Sequence, residues 1–149
     1  MGGPKRTTGL QLKFLRLVPE AKLPCFAHPK DAGMDVFTVE DYTLKPGERH
    51  GFKTGIASEI PPGFFIRFAP KSGLSFKDGI DLLAGVIDAE YRGEWIVILV
   101  NHGDEPKEFK VGDKVVQAIL QKVEKVELIE ITELSETQRG DGRFGSTGK

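Results

Sequence analysis

Short apolar stretches, each closed by turn-forming residues, recur along most of this chain, and that rhythm excludes more folds than any other feature of the sequence. The stretches are Met34–Val39, Phe52–Ile60, Phe64–Phe68, Gly85–Ile87, Glu94–Val100, Val115–Leu120 and Val126–Ile131. Between them lie Lys45-Pro46-Gly47-Glu48, Pro61-Pro62-Gly63, Asn101-His102-Gly103-Asp104 and Val111-Gly112-Asp113. Glycine and proline punctuate a chain because one adopts positive φ freely and the other fixes φ and donates no backbone hydrogen bond. With 18 glycines and 9 prolines in 149 residues, the chain is richer in them than the roughly 12% of average usage, so long helices are few. Many short strands between turns predict an all-β sandwich, jelly roll or barrel.

Leu10, Leu12 and Phe14 alternate with Gln11 and Lys13, the two-residue period of a half-buried strand, and Leu15 and Leu17 then change phase, as at a bulge. Val123–Glu136 is ambiguous: Glu124, Glu127, Glu130, Glu133 and Glu136 stand three apart as on a helix, while Val126, Leu128, Ile129 and Ile131 suit a strand. We read a strand. Residues 1–9 are small and polar and are expected to form a disordered leader. With no repeat and no linker, residues 10–137 read as a single domain and 138–149 as a glycine-rich tail.

The charge balance narrows the partners. Twenty-one Lys and Arg oppose 22 Asp and Glu, for a net charge of −1, which argues against general capture of nucleic acid or anionic membrane but leaves room for a small polyanion. The longest apolar run, Trp95–Val100, falls far short of the roughly 20 residues of a membrane span. No charged-then-apolar segment opens the chain, so we expect a cytoplasmic protein, with nuclear or viral-host intracellular settings included, and not a secreted one. Cys25 has no second cysteine to pair with, and His28, His50 and His102 are too scattered for a zinc site.

Five segments carry polar residues that a plain strand protein does not need. Asp31-Ala32-Gly33-Met34-Asp35-Val36 puts carboxylates at the start of a strand, where a turn-capping role competes with a functional one. Pro70-Lys71-Ser72-Gly73-Leu74-Ser75 joins a cation, a hydroxyl and a glycine backbone, the composition of a phosphate nest and equally of a turn; it lacks the spacing of a nucleotide P-loop. Ala84-Gly85-Val86-Ile87-Asp88-Ala89-Glu90-Tyr91-Arg92-Gly93-Glu94 sets Asp88 among glycines, able to orient a water or merely to close a hairpin. Gln117 interrupts the apolar strand Val115–Leu120, and a buried amide needs partners. The tail Arg139–Lys149 has glycines at 140, 142, 145 and 148 and is either a frayed terminus or a lid.

Together and in this order, these five segments resemble the five motifs of the trimeric deoxyuridine triphosphatases (dUTPases), over residues 32–148. The resemblance implies a jelly-roll-like β-barrel, a homotrimer with a swapped C-terminal strand, and a flexible C-terminal lid, residues 138–149, closing over a neighbouring chain's active site. It implies hydrolysis of dUTP to dUMP and pyrophosphate, which keeps uracil out of DNA and supplies dUMP for dTMP synthesis. Asp88 would be the general base. Lys71, Ser72, Gly73, Gln117, Arg139, Gly145, Ser146 and Thr147 would hold the phosphates. Gly85, Val86, Ile87 and Ile96 would read the uracil, Tyr91 would pack under the deoxyribose, and Phe144 would stack on the base. Mg2+ would be the cofactor, gripped by the triphosphate, with Asp35 reaching it through water only.

The chain departs from the family pattern at several points. Lys71 stands where the family usually has Arg, a point charge in place of a bidentate fork. Ser75 replaces a common Ala, Arg143 a common Gly, and Leu82 a side chain that is polar in some relatives. Trp95 is bulky for its neighbourhood and is expected at a chain interface. Two other readings remain: the dCTP deaminase branch of the same superfamily, and a non-catalytic nucleotide-binding or regulatory protein on the same fold.

Overall fold

The computed structural model describes residues 9–145. The leader reading for residues 1–8 and the phosphate-binding expectations for Ser146 and Thr147 lie outside the described residues. The turn formers fall where the sequence puts them. Glu48 N–H donates to the Lys45 carbonyl at 3.0 Å, Phe64 N–H to Pro61 at 3.2 Å, and Asp113 N–H to Lys110 at 2.9 Å. Each bond closes a tight turn between consecutive strands, which then join different sheets.

The strands are β1 (Lys13–Arg16), β2 (Met34–Phe37), β3 (Tyr42–Leu44), β4 (Arg49–Lys53), β5 (Ile56–Glu59), β6 (Phe64–Ala69), β7 (Ile80–Leu83), β8 (Val86–Ile87), β9 (Ile96–Asn101), β10 (Lys107–Phe109) and β11 (Lys114–Lys122); a single helix, α1 (Ser72–Asp78), separates β6 from β7 among the described residues. They pair antiparallel in four sheets: β2-β11-β6-β8, β4-β9-β7, β1-β5 and β3-β10. The chain is all-β, and the hydrogen-bonded ladders do not join into one closed ring. No helix among the described residues is long and apolar enough to cross a membrane.

The sheets share a core built from Val36, Leu44, Phe52, Ile56, Ile66, Trp95, Val97, Phe109, Val115 and Val116. Trp95 is fully buried there, which corrects its expected place at a chain interface. Its indole N–H donates to the Ser58 hydroxyl at 2.9 Å, its carbonyl accepts from the Thr54 hydroxyl at 2.6 Å, and Phe14 and Phe68 meet it edge-on. A tryptophan can occupy a core when its one polar atom finds a partner, and Ser58 supplies it.

Several expectations shift. The stretch Phe52–Ile60 is two strands, broken at Thr54-Gly55 and sent to different sheets. The first strand starts at Lys13, with Leu10 and Leu15 exposed. Val123–Glu136 forms neither strand nor helix. Val126, Leu128, Ile129 and Ile131 are all exposed there, and the segment joins none of the four sheets. Helix α1 was not foreseen, since seven residues are too few for a helical period to register and none of them is buried. It ends at Gly79, whose φ of 69° lets its N–H reach the Leu74 and Ser75 carbonyls.

Candidate active site

Two clefts gather most of the singled-out residues. The first is built on β8. Pairing of β8 with β6 matches Ile87 to Ile66, and Phe68 N–H donates to the Gly85 carbonyl at 2.7 Å, which fixes the loop ahead of β8. Ala84 and Gly85 both take positive φ, 61° and 121°, so the backbone turns its polar groups sharply before entering the strand. Asp88 follows directly and is exposed. Tyr91 N–H donates to the Asp88 carbonyl at 3.1 Å, and the Tyr91 hydroxyl donates to the Glu94 carbonyl at 2.9 Å. The result is a slot of about 210 Å3 that brings together Gly85, Val86, Ile87, Asp88, Tyr91 and Ile96.

Phe68, Ala84, Glu94 and Trp95 also line this slot and were not anticipated as part of it. Phe68 could not have been found from sequence, because only the β6–β8 pairing brings it there. Glu94 was within the quoted motif; its carboxylate accepts the Gly55 N–H at 2.9 Å and so ties the slot to the start of β5.

The second cleft, about 250 Å3, lies between β2, β11 and the start of α1 and is lined by Ala27, Asp31, Ala32, Gly33, Asp35, Lys71, Lys114 and Gln117. Asp31 also takes the turn role open to it, accepting the His28 N–H at 3.0 Å. Asp35 is buried, with Lys71 on one carboxylate oxygen at 2.5 Å and Lys114 on the other at 3.3 Å. Burial by itself would push its carboxyl pKa up; hydrogen bonds and charge from the two lysines overcome this and hold it below the ordinary value of 3.8. Gln117 pairs across the ladder with Asp35 and donates its amide N–H to the Pro70 carbonyl at 2.9 Å. Gly33, two residues before Asp35, makes room for this amide: a Cβ there would overlap the Gln117 Oε1 and come within 3.0 Å of its Cβ.

Lys114 is a cation of this cleft that the sequence did not reveal. Three positions before Gln117, it would face away from it on a regular strand. A register shift between Lys114 and Val116 turns it to the same side.

The remaining expected residues line neither cleft. Ser72 and Gly73 form the exposed first turn of α1, past Lys71. Arg139 bonds to the Gly142 carbonyl at 2.9 Å, and Phe144 is 96% exposed with the Arg143 guanidinium 5.6 Å over its ring. Gly145 is exposed at the end of the described chain. The two clefts share no lining residue, so Asp88 does not line the cleft that holds Lys71 and Gln117. Among the described residues no three His, Cys, Asp or Glu side chains gather as a metal cage.

Fold and clefts define an all-β protein with a carboxylate-bearing slot and a separate cleft in which two lysines face a buried carboxylate. The dUTPase family model matches residues 19–148, and the chain belongs to that family. It is 45% identical over 142 residues to the deoxyuridine 5'-triphosphate nucleotidohydrolase of Nautilia profundicola, covering 94% of this chain and 100% of that one. Its fold is similar to that of the Staphylococcus bacteriophage 80alpha dUTPase with dUpNHpp, with a TM-score of 0.84 at 26% identity over 93% of this chain and 99% of that one. It is also similar, with a TM-score of 0.79 at 25% identity over 85% and 99% of the two chains, to a mutant dUTPase from phage phi11 of S. aureus that coordinates a structural Mg(II) ion.

Proposed function

We propose that this chain is a dUTP diphosphatase, hydrolysing dUTP to dUMP and pyrophosphate. The observation that carries the reading is the slot itself: Gly85, Val86, Ile87, Asp88, Tyr91 and Ile96, chosen from sequence, line one cavity. Backbone groups around Gly85–Ile87 and at Ile96 read the uracil edge; cytosine, with donor and acceptor exchanged, leaves buried groups unpaired. The Tyr91 ring forms the floor under the deoxyribose and leaves no space for a 2′-hydroxyl. Asp88 takes a proton from a water as its oxygen bonds to the α-phosphorus; the bond to the bridging oxygen breaks and pyrophosphate leaves in line.

Lys71 and Gln117, with the backbone and hydroxyl at Ser72 and Gly73, hold the phosphates. Since Asp88 and this cationic set occupy different clefts of one chain, a complete site joins the slot of one copy to the cleft of another. That arrangement supports a homotrimer with shared sites. The exposed 123–136 segment fits a strand lent to a neighbour, and Arg139, Phe144, Gly145, Ser146 and Thr147 close over the neighbour's nucleotide as a lid. Sheets wrapped on one core fit a jelly-roll-like barrel. Its substrate sets its place inside the cell.

Mg2+ suits this donor set only as an ion carried by the substrate. Asp35, the buried carboxylate of the cleft, has an ammonium on each oxygen, which leaves it a contact through water rather than a direct bond. Bound to the triphosphate, the ion neutralises phosphate charge. Lys71 and Gln117 then orient the chain of phosphates, and Asp88 handles the water's proton.

The test is pyrophosphate release from dUTP, dCTP, dTTP and UTP in parallel, with magnesium and with chelator. Release confined to dUTP and dependent on magnesium is expected. Ammonia from dCTP would move the chain to the deaminase branch, and no release from any nucleotide would make it a binding protein.

A further inference from the structure

Gly93 lies behind Tyr91, a lining residue of the slot, without either of the usual reasons for a glycine. Its φ is not in the left-handed region, so a side chain there strains no backbone. The atoms that a Cβ would meet are also not backbone. An ideal Cβ at residue 93 would lie 2.5 Å from the Tyr91 hydroxyl oxygen, 2.6 Å from Cζ and 3.0 Å from Cε2. All three nearest atoms belong to one phenol ring, lying across the bare Cα of Gly93 with its hydroxyl on the Glu94 carbonyl. The contrast with Gly79 and Gly103 is plain: a Cβ at either would meet the main chain first.

We propose that Gly93 is a positioning residue for Tyr91: the missing side chain is the socket in which the ring lies, and it sets the depth of the slot where the sugar sits. The inference rests on the dUTPase reading and adds to it a residue that touches no substrate yet decides the gate against ribose. A methyl at 93 must move the ring by about an ångström to restore ordinary contact near 3.5 Å. Moving it breaks the hydrogen bond to Glu94. The ring is half-exposed, so it can yield without disturbing the core, and the change reaches selectivity before it reaches folding. The Tyr91 backbone stays tied to Asp88 through its N–H, so the water-orienting carboxylate is spared.

The experiment is a double-mutant cycle of Gly93→Ala and Tyr91→Ala in the full chain. It reads kcat/KM for dUTP and for UTP, and the thermal unfolding of each protein. Gly93→Ala should lower the preference for dUTP over UTP by about tenfold or more, in the range a steric gate against one hydroxyl supplies. Adding it to Tyr91→Ala should lower the preference no further. In unfolding, the methyl should cost stability only when the ring is present. An unchanged preference in Gly93→Ala, or losses that add independently in the double variant, overturns the proposal. If Gly93→Ala fails to fold while the double variant folds, the ring is the obstacle and the socket stands; if both fail, Gly93 serves the main chain and the proposal falls. Should the unmodified protein turn over no dUTP, the functional reading fails, and the unfolding cycle still decides whether the socket exists.

Discussion

Asp35 is 4% exposed and remains a carboxylate, because Lys71 and Lys114 approach its two oxygens from opposite sides. A depressed folded-state pKa means that ionisation favours folding above the unfolded value near 3.8, and that this contribution is lost as pH falls through the lower folded value. Acidification below pH 3.8 should therefore destabilise the protein more than it destabilises Asp35→Asn, as followed by thermal unfolding over a pH series. A parallel loss in the two proteins would show that the lysines do not hold the carboxylate. Lys71 makes this pair as a point charge, and its compact ammonium fits the 2.5 Å contact to a single oxygen. At the slot, Asp88→Asn keeps the shape and removes the base. Dissociation of a non-hydrolysed dUTP analogue should stay near the unmodified value while kcat falls roughly 100-fold or more, the usual contribution of a positioned base. A near-normal kcat would assign the water to another group.

Among the elements, α1 follows Lys71 directly and is held chiefly at its C-terminal end. Gly79 takes φ 69°, and a Cβ there would come within 2.7 Å of the Gly103 backbone nitrogen. Gly79→Ala should lower unfolding stability by about 1 kcal/mol or more, through both left-handed strain and collision with main chain that cannot step aside. Chemical denaturation checks it, and an unchanged midpoint would mean that the loop at Gly103 yields freely. Most elements of the larger sheets were legible beforehand. Met34–Phe37, Phe64–Ala69, Ile96–Asn101 and Lys114–Lys122 follow from apolar runs between turn formers. The three-residue strands Tyr42–Leu44 and Lys107–Phe109 were not foreseen, since so short a stretch shows no period of its own and exists through its pairing partner.

For the whole molecule, the segment past Lys122 is the unfinished part of the chain: Val126, Leu128, Ile129, Ile131 and Leu134 present apolar side chains to solvent, with Leu128 91% exposed. On the trimer reading these side chains are covered by a neighbouring copy, while residues beyond Thr137 serve only the lid. Truncation after Thr137 should leave a folded trimer by light scattering that has lost most of its dUTP hydrolysis. A truncated protein that dissociates or unfolds would make the tail structural instead. Sequence alone determined the all-β class, because turn chemistry and two-residue alternation are local and need no partner to be read. It also determined the family, because five motifs in order survive any ambiguity in each. Tertiary structure alone decided that Trp95 is core, that Lys114 joins Gln117 across a bulge, and that Gly93 lies beneath Tyr91. It alone, too, separated Asp88 from Lys71 into two clefts. Each of these depends on which strands pair and in what register, and a one-residue change of register reverses the face on which a side chain stands.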